Sequence, residues 1–245
     1  MTHPHLSVVV PVFNERDNVK PLIDEITAAL RGNPLLKGEA FEIVYVDDCS
    51  RDDTLDVLKK LKTDVPELRV IKHVSRSGQS TAVRTGVKAA RGAWIATLDG
   101  DGQNDPADIP KLLAQRETSA ADVKLFAGWR MQRKDTGSKR WASKLANAIR
   151  SRVLHDATPD TGCGIKLFQR EAFLDLPYFN HMHRYLPALM QRAGWKTVSV
   201  PVHHRHRTSG VSKYNNLNRA LVGLRDLRGV AWLIARSKRT AVEEL

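Results

Sequence analysis

The chain has 245 residues, 42% of them hydrophobic and 27% charged, and carries a formal net charge of +12. That balance predicts one globular domain with a sizeable core and excludes fibrous, repeat and low-complexity proteins. Only Cys49 and Cys163 are present, far apart and without metal-ligand neighbours, which argues against a disulfide framework or a zinc site and suits a reducing cytosol.

Leu6–Val12 is a β-branched run that ends in Phe13-Asn14-Glu15, beyond which Val19, Leu22, Ile23, Ile26 and Leu30 recur at helical spacing. Glu15 suits either the first helical turn, where the dipole favours an anion, or a ligand contact. A second strand at 41–46 runs into Asp47-Asp48-Cys49-Ser50-Arg51-Asp52-Asp53-Thr54, and Leu55, Leu58 and Leu61 then mark a helix. Ser50 or Asp52 is the expected N-cap. This leaves Asp47 and Asp48 at the carboxyl end of a strand, where open α/β sheets bind ligands. A third strand at 68–73 precedes Ser75-Arg76-Ser77-Gly78-Gln79-Ser80 and a helix through Val83, Val87 and Ala90.

The fourth apolar run, 93–98, delivers Asp99-Gly100-Asp101-Gly102-Gln103. Two carboxylates one residue apart at a strand tip repel each other and add nothing to a core. A solvated turn is the plain reading, but a divalent cation gives the pattern a purpose. Asp99, Asp101 and the amide oxygen of Gln103 are hard donors for an ion such as Mg2+, and the glycines let the backbone turn closely around it. Successive strand-loop-helix units predict a mainly parallel sheet with right-handed crossovers, so Glu15, Asp48, Asp99 and Asp101 should converge on one edge.

Asp105-Pro106 opens a further helix, and a strand at 123–127 leads to Gly128-Trp129-Arg130. Most of the excess positive charge follows, with Arg133, Lys134, Lys139, Arg140 and Lys144 read mainly as a solvated basic helix face. Asp160-Thr161-Gly162-Cys163-Gly164 is a tight stretch before a strand at 165–168; a helix at 183–193 and the strand Lys196–Val202 come next. In the cationic loop 203–213 only His204 and His206 share a strand face, so a phosphate-closing loop is preferred to a zinc site. Near the end, Leu217, Leu221, Leu224, Leu227, Ala231, Ile234 and Ala235 form one helical stripe among Arg219, Arg225, Arg228, Arg236, Lys238 and Arg239. That composition predicts a helix lying in a membrane interface, against packing on the catalytic domain or on a membrane protein. Residues 1–215 are expected to be the catalytic domain and 216–245 this helix and a tail. No leader pattern precedes Leu6 and no run approaches the roughly 18 residues of a membrane span, so a soluble or peripheral protein is expected.

In order and spacing, Val10-Pro11-Val12-Phe13-Asn14-Glu15, Val46-Asp47-Asp48-Cys49-Ser50-Arg51-Asp52 and Leu98 through Pro106 resemble the family-two inverting glycosyltransferases of the GT-A fold. Asp160 through Gly164, with Arg207-x-x-Gly210-x-Ser212-Lys213, narrow the resemblance to the dolichol-phosphate mannosyltransferases and related polyprenyl-phosphate glycosyltransferases. The resemblance implies that Pro11, Phe13, Glu15, Asp48 and Asp99 line the nucleotide pocket, and that Asp99, Asp101 and Gln103 hold Mg2+ or Mn2+. It assigns Arg130, Lys139 and Ser143 to phosphates near the acceptor, and Arg207 and Lys213 to a closing loop. Arg76-Ser77-Gly78 departs from the Asn-x-Gly common in the family. The implied partners are a GDP- or UDP-hexose, with mannose or glucose foremost, a polyprenyl phosphate, and a membrane surface or an integral membrane partner on the cytoplasmic face. The same fold acting on a polysaccharide or lipid A sugar is the alternative; nucleic acid is not expected, because aromatic stacking positions are not interleaved with the cations. A monoalkyl phosphate is largely a dianion at neutral pH, so the acceptor needs no side chain to deprotonate it.

Overall fold

The computed structural model describes residues 4–131, 148–203, 205, 216–238, 240 and 243, without the side chains of 216–221. In chain order the elements are β1 (Leu6–Val12), α1 (Arg16–Leu30), β2 (Phe41–Asp47), α2 (Thr54–Asp64), β3 (Leu68–Lys72), α3 (Gln79–Ala89), β4 (Trp94–Thr97), α4 (Ile109–Glu117), β5 (Val123–Arg130), β6 (Lys166–Gln169), α5 (Arg170–Leu174), α6 (Leu186–Ala193), β7 (Lys196–Val202) and α7 (Asn216–Ala235). Residues 148–154 are also helical. Short 3-10 turns occupy Pro34–Leu36, Pro106–Asp108 and Met182–Arg184.

The strands form one seven-stranded sheet in the order β3-β2-β1-β4-β6-β5-β7. Its centre is nearly continuous apolar sequence because helices cover both faces. Leu6, Val8, Val10 and Val12 point to one side and meet the α1 stripe of Val19, Leu22, Ile23, Ile26 and Leu30. Val9 and Val44 point to the other, against Val83 and Val87 of α3 and the helices that follow. Gly86 lets α3 approach that closely: a Cβ there would lie 2.4 Å from Val9 Cγ1.

The mainly parallel α/β sheet matches the expectation, with one exception. β6 runs antiparallel to both β4 and β5. The chain leaves β5 at the edge where β1, β2 and β4 end and re-enters the sheet from that same edge, so the next strand must run backwards. This reversal keeps Asp160 through Gly164 beside the tip of β4 instead of carrying them away on a crossover.

Two local expectations are corrected. Neither Ser50 nor Asp52 caps α2, whose N-cap position is Asp53. Ser50 Oγ instead accepts from Asn14 N at 2.9 Å, and Asp52 Oδ1 accepts from Thr54 N at 3.1 Å, so both side chains stitch the loop that precedes the helix. The helix expected from 183 begins at Leu186, after the Met182–Arg184 turn, where Pro187 takes an early helical position.

Candidate active site

Parallel register fixes the site before any side chain is considered. Val12 pairs with Asp47, Asp47 with Lys72 and Val9 with Thr97, so β1, β2, β3 and β4 all end on one edge. There Asn14 takes a left-handed turn at φ 56 and accepts from Arg51 N at 2.7 Å, while Glu15 N donates to Thr54 Oγ1 at 2.9 Å. The turn after β1 is thus tied to the loop after β2. Glu15 stands at the N-cap of α1 without capping it; its Oε2 accepts from Asn18 Nδ2 at 2.8 Å.

Asp48 is buried and organises the third loop. Its Oδ1 accepts from Ser77 N and its Oδ2 from Gly78 N, both at 2.8 Å, and His73 Nδ1 lies 2.8 Å from Oδ1. A carboxylate that receives two backbone amides orders a loop as a helix cap orders a helix end. Arg76, the departure from the family pattern, then lies over Phe13 with its guanidinium carbon 4.1 Å from the ring centre. The aromatic and the cation together line the mouth at the end of β1.

The turn after β4 is built just as tightly. Asp99 N donates to Asn104 Oδ1 at 2.9 Å, and Gln103 N donates to Asp101 Oδ1 at 3.1 Å. Gln79, at the start of α3, donates its Nε2 to Asp99 Oδ1 at 2.8 Å. Gly164 closes from the other side, where a Cβ would fall 2.1 Å from Asp99 Oδ2. Burial first, and then the charge of Asp101, push the Asp99 carboxyl up to about 6, with Lys166 and Arg130 pulling the other way. A positive charge arriving beside Asp99 would favour its ionised form, so a divalent ion would relieve the cost of this carboxylate. The described residues contain no group of three His, Cys, Asp or Glu side chains able to hold a metal. Asp99 and Asp101 are the carboxylates of this turn, with the Gln103 amide beside them; Mg2+ is characteristically held by one or two carboxylates plus substrate phosphates.

One prediction follows from Asp99. Without metal, the folded protein keeps a proton on this carboxyl between about pH 4 and 6 that the unfolded chain has lost, so Asp99 subtracts stability as pH rises through that window, by about 3 kcal/mol. Asp99→Asn removes the term. In EDTA the variant is expected to gain stability over wild type as pH rises from 4.5 to 7, measured by urea unfolding; a gap that stays flat would show that Asp99 is not strained by its surroundings.

Arg130 and Asp160 form a two-pronged ion pair, Nε to Oδ2 at 2.7 Å and Nη2 to Oδ1 at 2.9 Å. Burial works against the charged guanidinium, but the bonds to Asp160 outweigh it and hold Arg130 above its ordinary pKa. Sequence reasoning placed Arg130 at the site and missed this partner, although Asp160 opens the motif it had singled out. It also missed Gln79 and Lys166. Lys139, Ser143, Arg207 and Lys213 lie outside the described residues. The chain leading towards the last two is fixed at its root: Arg205 N donates to Gln103 O at 3.1 Å, and its guanidinium pairs with Glu25 and Asp105, each at 2.7 Å.

The fold and this edge define a class, the GT-A glycosyltransferases. The solved mannosyltransferase PcManGT from Pyrobaculum calidifontis, in complex with GDP-Man and Mn2+, superposes with a TM-score of 0.66 at 18% identity over 99% of this chain and 67% of its own. Glucosyl-3-phosphoglycerate synthase from Mycobacterium tuberculosis, solved with Mn2+ and UDP, gives 0.67 at 19% identity over 96% and 80%. The model of Glycosyl transferase family 2 matches residues 7–176, and the chain belongs to that family. Among relatives, the dodecaprenyl-phosphate galacturonate synthase of Rhizobium johnstonii is 34% identical over 96% of this chain and 68% of its own length. The undecaprenyl-phosphate 4-deoxy-4-formamido-L-arabinose transferase of Pseudomonas fluorescens is 35% identical over 86% and 60%. The chain thus spans between three fifths and two thirds of the length of these relatives.

Proposed function

We propose that the protein transfers a hexose from a nucleotide sugar to a polyprenyl phosphate, inverting the anomeric centre, with Mg2+ or Mn2+ as cofactor. The observation that carries the reading is the Asp99–Asp101 turn, pressed between Gln79 and Gly164 at the carboxyl edge of the sheet. The names of the relatives support a lipid phosphate acceptor.

On this reading Asp99, Asp101 and Gln103 hold the ion, which supplies a positive charge against the leaving diphosphate. Phe13 and Arg76 receive the nucleoside, and the loops fastened by Asp48 and Ser50 keep that pocket preformed. The acceptor dianion attacks from the opposite side of the sugar without a general base. Arg130, held in one orientation by Asp160, presents a fixed cation towards the two anionic substrates, whose mutual repulsion is the main obstacle. Lys139, Ser143, Arg207 and Lys213 complete the phosphate-binding set.

Membrane docking belongs to the same proposal, on the part of the terminal helix that the protein leaves uncovered. Leu227, Ala231 and Ile234 of the expected stripe pack onto the protein around the fully buried Val230. Outward point Trp232, 60% exposed, and Leu224, 53% exposed, among Arg225, Arg228 and Arg236. Asp226 turns inward to His181 at 2.9 Å, so the described outward face holds cations and apolar groups without an acid. No described helix is long and apolar enough to cross a membrane.

One assay tests the whole reading. Polyprenyl phosphate in anionic vesicles is offered with a panel of GDP- and UDP-linked sugars, uronic acid and aminopentose donors included, and phosphoglycerate serves as the competing acceptor. Lipid-linked product that requires Mg2+ or Mn2+ is the expected result, read by mass spectrometry, with a rate that falls as salt rises. Transfer to phosphoglycerate alone would overturn the acceptor, and an equal loss of rate with a short soluble prenyl phosphate would count against docking.

A further inference from the structure

Behind the metal turn lies a lysine that neither the sequence motifs nor the proposed mechanism uses. Lys166 opens β6, pairs across the sheet with Thr97 and is only 4% exposed. Its Nζ donates to the carbonyl of Cys163, and among the described residues no carboxylate lies within ion-pair distance of it. Burial disfavours the charged form, opposed by the negative groups nearby, among them Asp99 and Asp160. An ammonium in such a place is costly unless something is gained from it. A core lysine usually shows a paired carboxylate, and this one shows a carbonyl.

The surroundings say where its field is felt. Thr97 Oγ1 donates to Gly164 O at 2.9 Å, and Gly164 touches Asp99, so the stretch from Cys163 to Lys166 wraps the metal carboxylate from behind. Lys166 acts electrostatically on Asp99 in the same direction as Arg130. Around the turn, Asp99, Asp101 and Asp160 carry three potential negative charges against Arg130 and Lys166. A divalent ion reverses that balance, and a diphosphate restores it.

We propose that Lys166 is a positioning residue for phosphate: a fixed positive charge beneath the metal turn that opposes the bare cation and favours the anionic diphosphate that follows it. The inference rests on the metal-nucleotide reading of this edge. It predicts that removing the charge weakens the diphosphate step without weakening the metal step, which a purely structural role does not. Lys166→Met removes the charge at similar volume. Lys166→Gln removes it while keeping a donor for the Cys163 carbonyl.

The experiment measures Mn2+ binding to the protein alone by electron paramagnetic resonance, and nucleoside diphosphate binding at saturating Mn2+ by calorimetry. Both variants are expected to bind Mn2+ as tightly as wild type or a few times more tightly, and to lose about tenfold in diphosphate affinity, with a smaller loss for the nucleoside monophosphate. Parallel losses in both steps, or no change in either, would overturn the proposal. So would a Gln variant that behaves as wild type, since the hydrogen bond alone would then suffice. If the Met variant does not fold, the Gln variant decides. Failure of wild type to bind Mn2+ or nucleotide at all would instead defeat the reading of the site, which separates the two failures.

Discussion

Asp101→Asn is expected to abolish sugar transfer, by a factor of about a thousand or more, while leaving the fold intact. The carboxylate is half-buried, and the bond it accepts from Gln103 N at 3.1 Å is one that an asparagine oxygen can also make. What the substitution removes is charge. In wild type, nucleotide at 100 times its dissociation constant should raise unfolding stability by about 2.7 kcal/mol, and only when Mg2+ or Mn2+ is present. The variant should lose most of that gain. Thermal unfolding with and without EDTA checks both statements, and stabilisation of wild type by nucleotide that ignores EDTA would remove the metal from the account.

The second large effect is on stability. Arg150 and Asp156 form a buried ion pair, with Nη1 at 2.6 Å and 2.7 Å from the two carboxylate oxygens, and Arg150 Nη2 donates to Thr158 O at 2.6 Å. The pair ties the helical residues 148–154 to the loop that leads into Asp160. Removing one partner leaves the other as an uncompensated buried charge, so Asp156→Ala is expected to cost about 3–5 kcal/mol. The double change Arg150→Met with Asp156→Leu should recover a large part of that loss, because the cost belongs to the orphaned charge more than to the missing bond. Urea denaturation of the three proteins provides the comparison. A single variant within about 0.5 kcal/mol of wild type would show that water reaches Arg150 and solvates it.

Much of the fold and site was legible in the chain because the relevant signals are local. The run 93–98 followed by Asp-Gly-Asp gives both a strand and its chemistry, and successive units of the same kind place Glu15, Asp48, Asp99 and Asp101 on one edge through the handedness of crossovers. What was not legible depends on partners distant in sequence. The reversed direction of β6 is set by where the chain re-enters the sheet, which no periodicity records. Asp48 reads as a pocket carboxylate, yet both its oxygens hold the 77–78 backbone, 29 and 30 residues away. The pairing of Arg130 with Asp160 and the contact of Gln79 with Asp99 are of the same kind. The terminal stripe shows a further limit: helical spacing identifies an apolar face but not what covers it, and here Leu227, Ala231 and Ile234 are covered by the protein itself.

The reversed strand also bears on how the molecule comes together as it is made. β5 leaves the ribosome before β6, yet β5 is joined to the first four strands through β6. Until residues 166–169 have emerged and paired with the free side of β4, the apolar strand Val123–Arg130 has no seat and β7 nothing to extend. The first four strands, by contrast, are neighbours in both chain and space, and can assemble early. A four-residue strand therefore forms the seam between an early half and a late half; the Asp99–Asp101 turn follows the strand on one side of it, and Lys166 opens the seam itself. Assembly of the catalytic edge and completion of the sheet are then a single event, so a chain halted before β6 holds the aspartates but not the wall behind them.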